Sequence, residues 1–515
     1  MARRASYREA LSFGLLTFVS LAVFGVATSI VLARIYGVEV IGQFALASAP
    51  LGLMIFISSA QEQAALSRKL ATLEPKDPAI TPLTYAVVGF SALLTLTVGV
   101  VVAGSTYVLF TGPVNQPELV APAMALLVSY LLVQNTCWNA DIVLLAFRAG
   151  RQLFWIRLEQ AVVFFTTAMI GAFVFGDVWA LVVAWVASWL FTLVTRLFAL
   201  RLFMHFRCSY ADLRAGMREL PGMIRFGLKA TLGQVFGGIN SQVGTITLGI
   251  VGNVLFVGAW SRAQQLVIRV QDASLRLQEV LYPTLVERRD GGDAQGHDRA
   301  LVDSIRLLLI GLLALAAAAG GAAHGVMALF GDGFTIASDA FAILLLAQAL
   351  SAIPACCSLC LWAANRPLVA SAASGVGCLC NVIACVAFSM RIGVTGPAVG
   401  ALVGQVVAGT LMTLAVKREL TVPLKQLMPW KALVPLGLAY GTAFAASRVL
   451  DLGLPPVIGP AAGVAIGLGV FGLVIVVTGG LNEREKARVA QLVAKVGAKF
   501  GRIDDPSDRL SGEHA

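Results

Sequence analysis

Arg262, Arg269 and Arg276 stand seven residues apart in the stretch Val254 to Val286, which is long enough to cross a membrane. At 100° per residue this spacing drifts only slightly, so the three guanidiniums line one helical face, with Gln265 and Asp272 close to it. A central arginine costs about 3 kcal/mol on the insertion scale, and three turned to lipid would cost on the order of 9 kcal/mol. The stripe must therefore face protein, water or a polar ligand. Guanidinium suits phosphate, because its fork donates in a plane and never loses its charge. The alternative use is structural pairing, with Asp272 or with a carboxylate on a neighbouring helix.

Other polar groups sit in apolar surroundings. Lys229 shares the preceding stretch with Gln234, Asn240, Ser241 and Gln242, which makes that stretch too polar to face lipid all round. It either lines the same cavity or bonds to neighbouring helices. Asp141 lies near Gln134, Asn135 and Asn139, and Glu62 stands between Gln61 and Gln63. An intramembrane acid can exchange a proton or a sodium ion and so couple a cycle to a gradient. Asp141 could equally salt-bridge an arginine of the stripe. Arg148, Arg151, Arg157 and Glu159 cluster at the ends of two further apolar runs. His324 is the one histidine inside such a run, where packing is the ordinary role, and Arg34 is read as snorkelling to an interface. Of eight cysteines, six (Cys356, Cys357, Cys360, Cys378, Cys380 and Cys385) fall on two adjacent runs without histidine partners. They read as small apolar packing residues rather than metal ligands. No phosphate-binding G-x-x-x-x-G-K-[ST] loop, no H-E-x-x-H motif and no nucleophile–base arrangement appears, so neither an enzyme nor a cofactor is expected.

The elements that must position these groups are membrane spans. Only 13% of residues are charged, against about 25% in a soluble domain, and the mean hydropathy is +0.83. Apolar runs of 18 or more residues recur along the whole chain. The pattern predicts an all-α polytopic membrane protein with about fourteen transmembrane helices. The spans fall near 11–33, 42–60, 84–110, 119–147, 158–176, 178–200, 226–251, 254–286, 303–329, 337–364, 368–390, 394–416, 432–450 and 455–478. With the N-terminus in the cytoplasm, 30 of 38 Lys and Arg fall in cytoplasmic segments and three (Arg34, Arg391, Arg448) outside. That asymmetry explains the net charge of +10 through an anionic leaflet, without nucleic acid. Residues 483–500 read as a basic amphipathic helix on the membrane surface, followed by a disordered tail.

Three landmarks repeat at nearly constant offset. Phe13-Gly14-Leu15 opens span 1 and Phe226-Gly227-Leu228 opens span 7. Gly42-Gln43-Phe44-Ala45 begins span 2 and Gly258-Ala259-Trp260-Ser261 lies near the start of span 8. Arg151 follows span 4 and Arg366 follows span 10. The offsets of 213, 216 and 215 imply two pseudo-symmetric six-helix lobes inserted the same way up. The expected organisation is an N-terminal lobe over 1–205, a C-terminal lobe over 206–425, two extra helices over 426–480, and a tail over 481–515. Span 8 is then the counterpart of span 2, which carries no matching arginines. Positive charge is expected to concentrate on the C-terminal lobe.

On these motifs the chain resembles the multidrug/oligosaccharidyl-lipid/polysaccharide exporter superfamily, most closely bacterial flippases of polysaccharide repeat units. The likeness rests on Ala33-Arg34-Ile35-Tyr36-Gly37 through Gly42-Gln43-Phe44-Ala45, and on Gly258-Ala259-Trp260-Ser261-Arg262-Ala263 leading to Leu281-Tyr282-Pro283. The resemblance implies two lobes around a central cavity that opens alternately to either side of the bacterial cytoplasmic membrane. It implies an undecaprenyl-diphosphate-linked oligosaccharide as cargo, with proton or sodium coupling and polysaccharide polymerase machinery as candidate partners. Arg148 would then meet the diphosphate at the cytoplasmic entrance, or serve as a positive-inside anchor. Three rival readings stand beside this one: a flippase of the peptidoglycan lipid precursor, an ion-coupled drug antiporter of the same superfamily, and a membrane polymerase or ligase. The short outer loops count against the enzyme.

Overall fold

In a computed structural model the chain is described over residues 7–59, 62–207, 209–364, 366–418, 430–455 and 458–481. The basic amphipathic segment at 483–500 and the tail lie outside these residues. All regular structure among the described residues is helical. In chain order the helices are α1 (Tyr7–Ile57), α2 (Glu62–Leu70), α3 (Ile80–Thr111), α4 (Val120–Ser129), α5 (Asn135–Ala146), α6 (Gly150–Val174), α7 (Val178–Leu200), α8 (Tyr210–Val251) and α9 (Val254–Asp290). There follow α10 (Ala294–Gly321), α11 (Ala323–Ala328), α12 (Ser338–Leu350), α13 (Ala352–Ala363), α14 (Pro367–Ile392), α15 (Gly396–Val416), α16 (Trp430–Gly453) and α17 (Ile458–Val477).

Ten described segments are long and apolar enough to span a membrane. Two of them, Val19–Ile57 and Pro367–Val416, each hold a pair of crossings, which brings the number to twelve. Helices α8 and α9 are too polar to be counted by hydropathy and complete the expected fourteen. Many large apolar side chains face outward: Phe173 is 87% exposed and Val477 76%. A surface of that kind belongs against hydrocarbon.

Several boundaries differ from the sequence expectation, each for a local reason. Spans 1 and 2 form one helix bent at Gly37, whose φ of 74° is a conformation that glycine adopts freely. The expected span at 119–147 is interrupted by a π turn over Tyr130–Gln134. The stretch after span 2 contains the short amphipathic helix α2. The expected span at 337–364 is divided at Ser351 into α12 and α13. Helix α8 begins at Tyr210, well before the expected start, behind a capping box of Ser209 and Asp212.

That early part of α8 packs on the N-terminal elements. Leu220 and Met223 are buried with Leu66, Leu70 and Leu83, and Gly216 lies directly on the Pro82 carbonyl. Lys69 of α2 pairs with Glu219. The ammonium holds the Glu219 carboxyl below the usual carboxylate range, so this link is present at neutral pH and lost only as pH falls through that depressed value. The rest of α8 packs on α14 as well as on α1: the Asn381 side-chain amide donates to Asn240 at 2.8 Å, the Phe236 ring lies against Gly375, and Gly238 lies against Phe56. Helix α8 thus reaches from one half of the molecule to the other.

The N-terminal half packs α1 against α4, α6 and α7. Tyr36 donates to the Ala168 carbonyl at 2.5 Å, and Phe24 meets Phe165 edge to face. The C-terminal half joins α14 to α15 through Gly377, Gly400 and Gly404, small residues that allow close backbone approach. Helices α16 and α17 lie on α10 and α11: Ser447 donates to the Ala318 carbonyl of α10 at 2.7 Å, and buried Asp451 accepts from the Gly325 amide of α11 at 2.9 Å.

The internal repeat is visible in hydrogen bonds as well as in sequence. Helix α5 ends with the Ala149 amide donating to the Leu144 carbonyl at 2.9 Å, and α13 ends with the Arg366 amide donating to the Leu361 carbonyl at 2.8 Å. Both pairs are related by 217 positions. The bend at Gly37 likewise corresponds to the break at Asn253 between α8 and α9, 216 positions on.

Candidate functional site

Helix α9 starts where Asn253 accepts from the Leu255 amide at 3.0 Å, and it runs antiparallel to the first part of α1. The stripe therefore faces α1. Arg262 donates through one terminal nitrogen to Ser29 Oγ at 2.6 Å and to Gln265 Oε1 at 2.8 Å. Ser29 itself donates to Gln265 at 2.7 Å. The Arg262 Nε is enclosed and has no hydrogen-bond partner. Two turns further on, Arg269 and Asp272 are both about two-fifths exposed and 3.6 Å apart. The Arg269 guanidinium hangs beside Gly25 of α1, 3.5 Å from where a Cβ there would lie. Gln265, Arg262, Arg269 and Asp272 thus share one face, as the spacing predicts. The backbone of Arg276 continues that helix, but its side chain and that of Lys229 lie outside what the structure describes.

The polar residues of α8 divide between several neighbours. Asn240 is bound to Asn381, the Gln242 amide lies against Gly52 of α1, and the Ser241 carbonyl accepts from Gln264 of α9 at 2.5 Å. Gln234 is exposed.

Asp141 is not near the stripe. It lies buried in the N-terminal half, where Arg196 of α7 donates to it through Nε at 2.8 Å. Arg196 also donates to Thr192 at 2.7 Å and to Gln160 at 3.2 Å, and its guanidinium sits 5.3 Å from the centre of the Trp189 ring. Arg196 lies within the span expected at 178–200. Glu62 is fully buried in the first turn of α2.

Arg148 is exposed and has a φ of 57°, the left-handed conformation. Its amide donates to the Leu145 carbonyl at 2.9 Å, and with the Ala149–Leu144 bond this closes α5 in a Schellman turn. Glycine is the usual residue at this position, because a left-handed L-residue costs roughly 1–2 kcal/mol. Arg148→Gly is therefore expected to melt no lower than the parent protein in detergent. A loss of activity in that variant would report the side chain and not the turn; a melting temperature several degrees below the parent would contradict the backbone argument.

The clustered cysteines Cys356, Cys357 and Cys360 form no disulfide among the described residues and are buried with Leu281, Leu285 and Leu301. Among the described residues no group of three or more His, Cys, Asp or Glu side chains is placed to hold a metal ion. His297 is buried in α10 beside Asp298 and near Cys360. His324 is exposed.

A family model described as polysaccharide biosynthesis protein matches residues 10–288, from α1 to the end of α9. Comparison with curated proteins gives no match. Among solved structures, the fold is similar to that of the lipid II flippase MurJ in an inward closed conformation. That likeness has a TM-score of 0.63 at 14% identity and covers 90% of this chain and 98% of that one. The eukaryotic MATE transporter AtDTX14 is similar with a TM-score of 0.56 at 14% identity, covering 81% of this chain and 98% of that one. A third similar structure is a MOP superfamily transporter from Pyrococcus furiosus, described as having a binding pocket of reverse polarity that suggests a different function. It matches with a TM-score of 0.51 at 16% identity, over 81% of this chain and 96% of that one.

Proposed function

The chain belongs to the polysaccharide biosynthesis protein family, within the multidrug/oligosaccharidyl-lipid/polysaccharide exporter superfamily, and from that premise we propose that it is a flippase for an undecaprenyl-diphosphate-linked oligosaccharide. It carries the repeat unit from the inner to the outer leaflet of the bacterial cytoplasmic membrane by alternating access, with both termini in the cytoplasm and two lobes over 1–205 and 206–425. The observation that carries this reading is the half-exposed Arg269 on α9, set against the uncharged Gly25 and Ser29 of α1. The cationic face is thus one-sided and turned toward the other half of the molecule. An anionic headgroup passing between the lobes would meet guanidinium on one wall only, while its lipid tail stays in the bilayer.

In this reading Arg262, Arg269, Arg276, Gln265, Asp272 and Lys229 line the path, and Arg148 meets the headgroup at the cytoplasmic mouth. Glu62 is a candidate for proton or sodium coupling. A cationic path of this kind suits an anionic sugar-lipid better than a cationic drug. Substrate or ion binding that favours one of the two cavity states would drive the switch.

A second reading, a flippase of the peptidoglycan lipid precursor, draws support from the fourteen-crossing architecture. One experiment separates the two. In a strain lacking the chain, a lipid-linked polysaccharide repeat unit is expected to accumulate on the cytoplasmic leaflet, and wild-type protein should clear it. Accumulation of the peptidoglycan precursor instead would favour the second reading, and accumulation of neither would sink both.

A further inference from the structure

Helices α1 and α9 cross most closely at two glycines, and the crossing has internal symmetry. A Cβ at Gly42 would fall inside the van der Waals shell of the Val254 carbonyl oxygen. A Cβ at Gly258 would do the same at the Val38 carbonyl oxygen. Val254 stands 216 positions after Val38, and Gly258 stands 216 positions after Gly42. The two contacts are thus one contact made twice, once from each lobe. In each the nearest atom is the valine's backbone carbonyl oxygen, with that valine's own Cγ beside it. They lie next to the bend at Gly37 and the break at Asn253, which face outward when the termini are cytoplasmic.

The Arg262 cluster lies directly beneath. Arg262 is one turn past Gly258, roughly 6 Å along the helix. Its bonds to Ser29 on α1 and Gln265 on α9 tie the two helices together below the crossing. Arg269, two turns further, is left half exposed. One guanidinium of the stripe is therefore engaged between the lobes while the next is open.

We propose that the Gly42–Gly258 crossing and the Arg262–Ser29–Gln265 cluster form the outer gate, in which Arg262 is a latch while the gate is closed and becomes available to an anion only when it opens. Opening separates both glycine contacts at once, because they are equivalents about one axis. It also removes Ser29 from Arg262, whose Nε is already without a partner. The outermost positive charge of the path is then offered late, after the inner one. Arg262 is in this sense a positioning residue for release and not part of the first capture. The inference rests on the alternating-access part of the reading above but not on the identity of the cargo.

The test uses full-length protein with its eight native cysteines replaced, in right-side-out vesicles. Gly25→Cys places a thiol below the gate, at a site where a Cβ makes only an ordinary contact. A membrane-impermeant maleimide added outside should label it slowly. Gly42→Ala and Gly258→Ala should each raise that rate by about tenfold, a shift corresponding to about 1.4 kcal/mol, and to similar extents. Gly311→Ala, where a Cβ meets nothing, should not. A rate unchanged by either gate variant overturns the proposal, and so does a large difference between them. If the alanine variants do not reach the membrane, a Ser29→Cys/Gln265→Cys pair gives an independent readout. Its oxidation should suppress outside labelling of Gly25→Cys and reduction should restore it; labelling indifferent to oxidation again overturns the gate. Because cargo takes no part in the measurement, a failure of the flippase reading would appear instead as no lipid-linked sugar accumulating in the deletion strain.

Discussion

Arg269→Ala is expected to reduce polysaccharide export by roughly tenfold to a hundredfold, the loss of one charge-assisted hydrogen bond of about 1.5–3 kcal/mol, while the protein still inserts and folds. The structure separates these two consequences. Arg269 is half exposed, and its ion partner Asp272 lies 3.6 Å away on the same helix. A pair so exposed is worth about 0–1 kcal/mol to the fold, so its removal leaves the packing of α9 intact. What is lost is a fork aimed at the space beside Gly25. Arg269→Lys should fall between the parent and alanine, since it keeps the charge but not the planar donors.

Asp272→Asn distinguishes capture of an anion from structural pairing. If Arg269 serves the cargo, Asp272 competes for it, and the asparagine variant should export at or above the parent rate. If the arginine exists to pair with Asp272, the two single variants should fail alike. The measurement is surface polysaccharide in a deletion strain complemented at matched protein levels. Normal export by Arg269→Ala would remove this residue from the path.

The fold was largely legible because each crossing leaves an apolar run of its own. The two polar crossings, α8 and α9, were legible for a different reason: their periodicity is helical although their hydropathy is not. What escaped was local geometry. Nothing in the flanking composition distinguishes a bend at Gly37 from a loop, since a single glycine serves both. The segment before Arg225 reads as a basic loop until Leu220 and Met223 find Leu66 and Leu70 of α2 to bury against. The stripe on α9 was legible because charge in a span is costly and therefore conspicuous. Its neighbours Gly25 and Ser29 were not, because small uncharged residues are ordinary in membrane helices and these lie more than 230 positions away in sequence. Gly42 and Gly258 were noticed as repeat landmarks, and only the contacts across α1 and α9 show why both are glycine. Asp141 and Arg196 were each visible, but their pairing depends on α5 packing against α7, which no periodicity encodes.

That pair leads to the largest expected effect on stability. Arg196 is about 1% exposed, and Asp141 lies buried beside it. Breaking a buried pair by removing one partner costs about 3–5 kcal/mol, because the remaining charge is left uncompensated. Against a total stability of about 5–15 kcal/mol this is a large fraction. Arg196→Ala and Asp141→Asn should therefore each melt well below the parent protein, judged by detergent melting and size-exclusion profile. The double variant Asp141→Asn/Arg196→Gln removes both charges while keeping donors and acceptors in place, and it should recover most of what either single variant loses. That recovery permits a measurement the single variants do not. If Asp141 is structural, the double variant should still respond to an imposed proton or sodium gradient as the parent does. A folded double variant that transports but no longer responds to either gradient would place the coupling at Asp141 and overturn its assignment to the ion pair alone. Glu62 then becomes the control: Glu62→Gln leaves the Arg196 pair untouched, so a loss of gradient response there, with the double variant still coupled, would locate coupling at the start of α2.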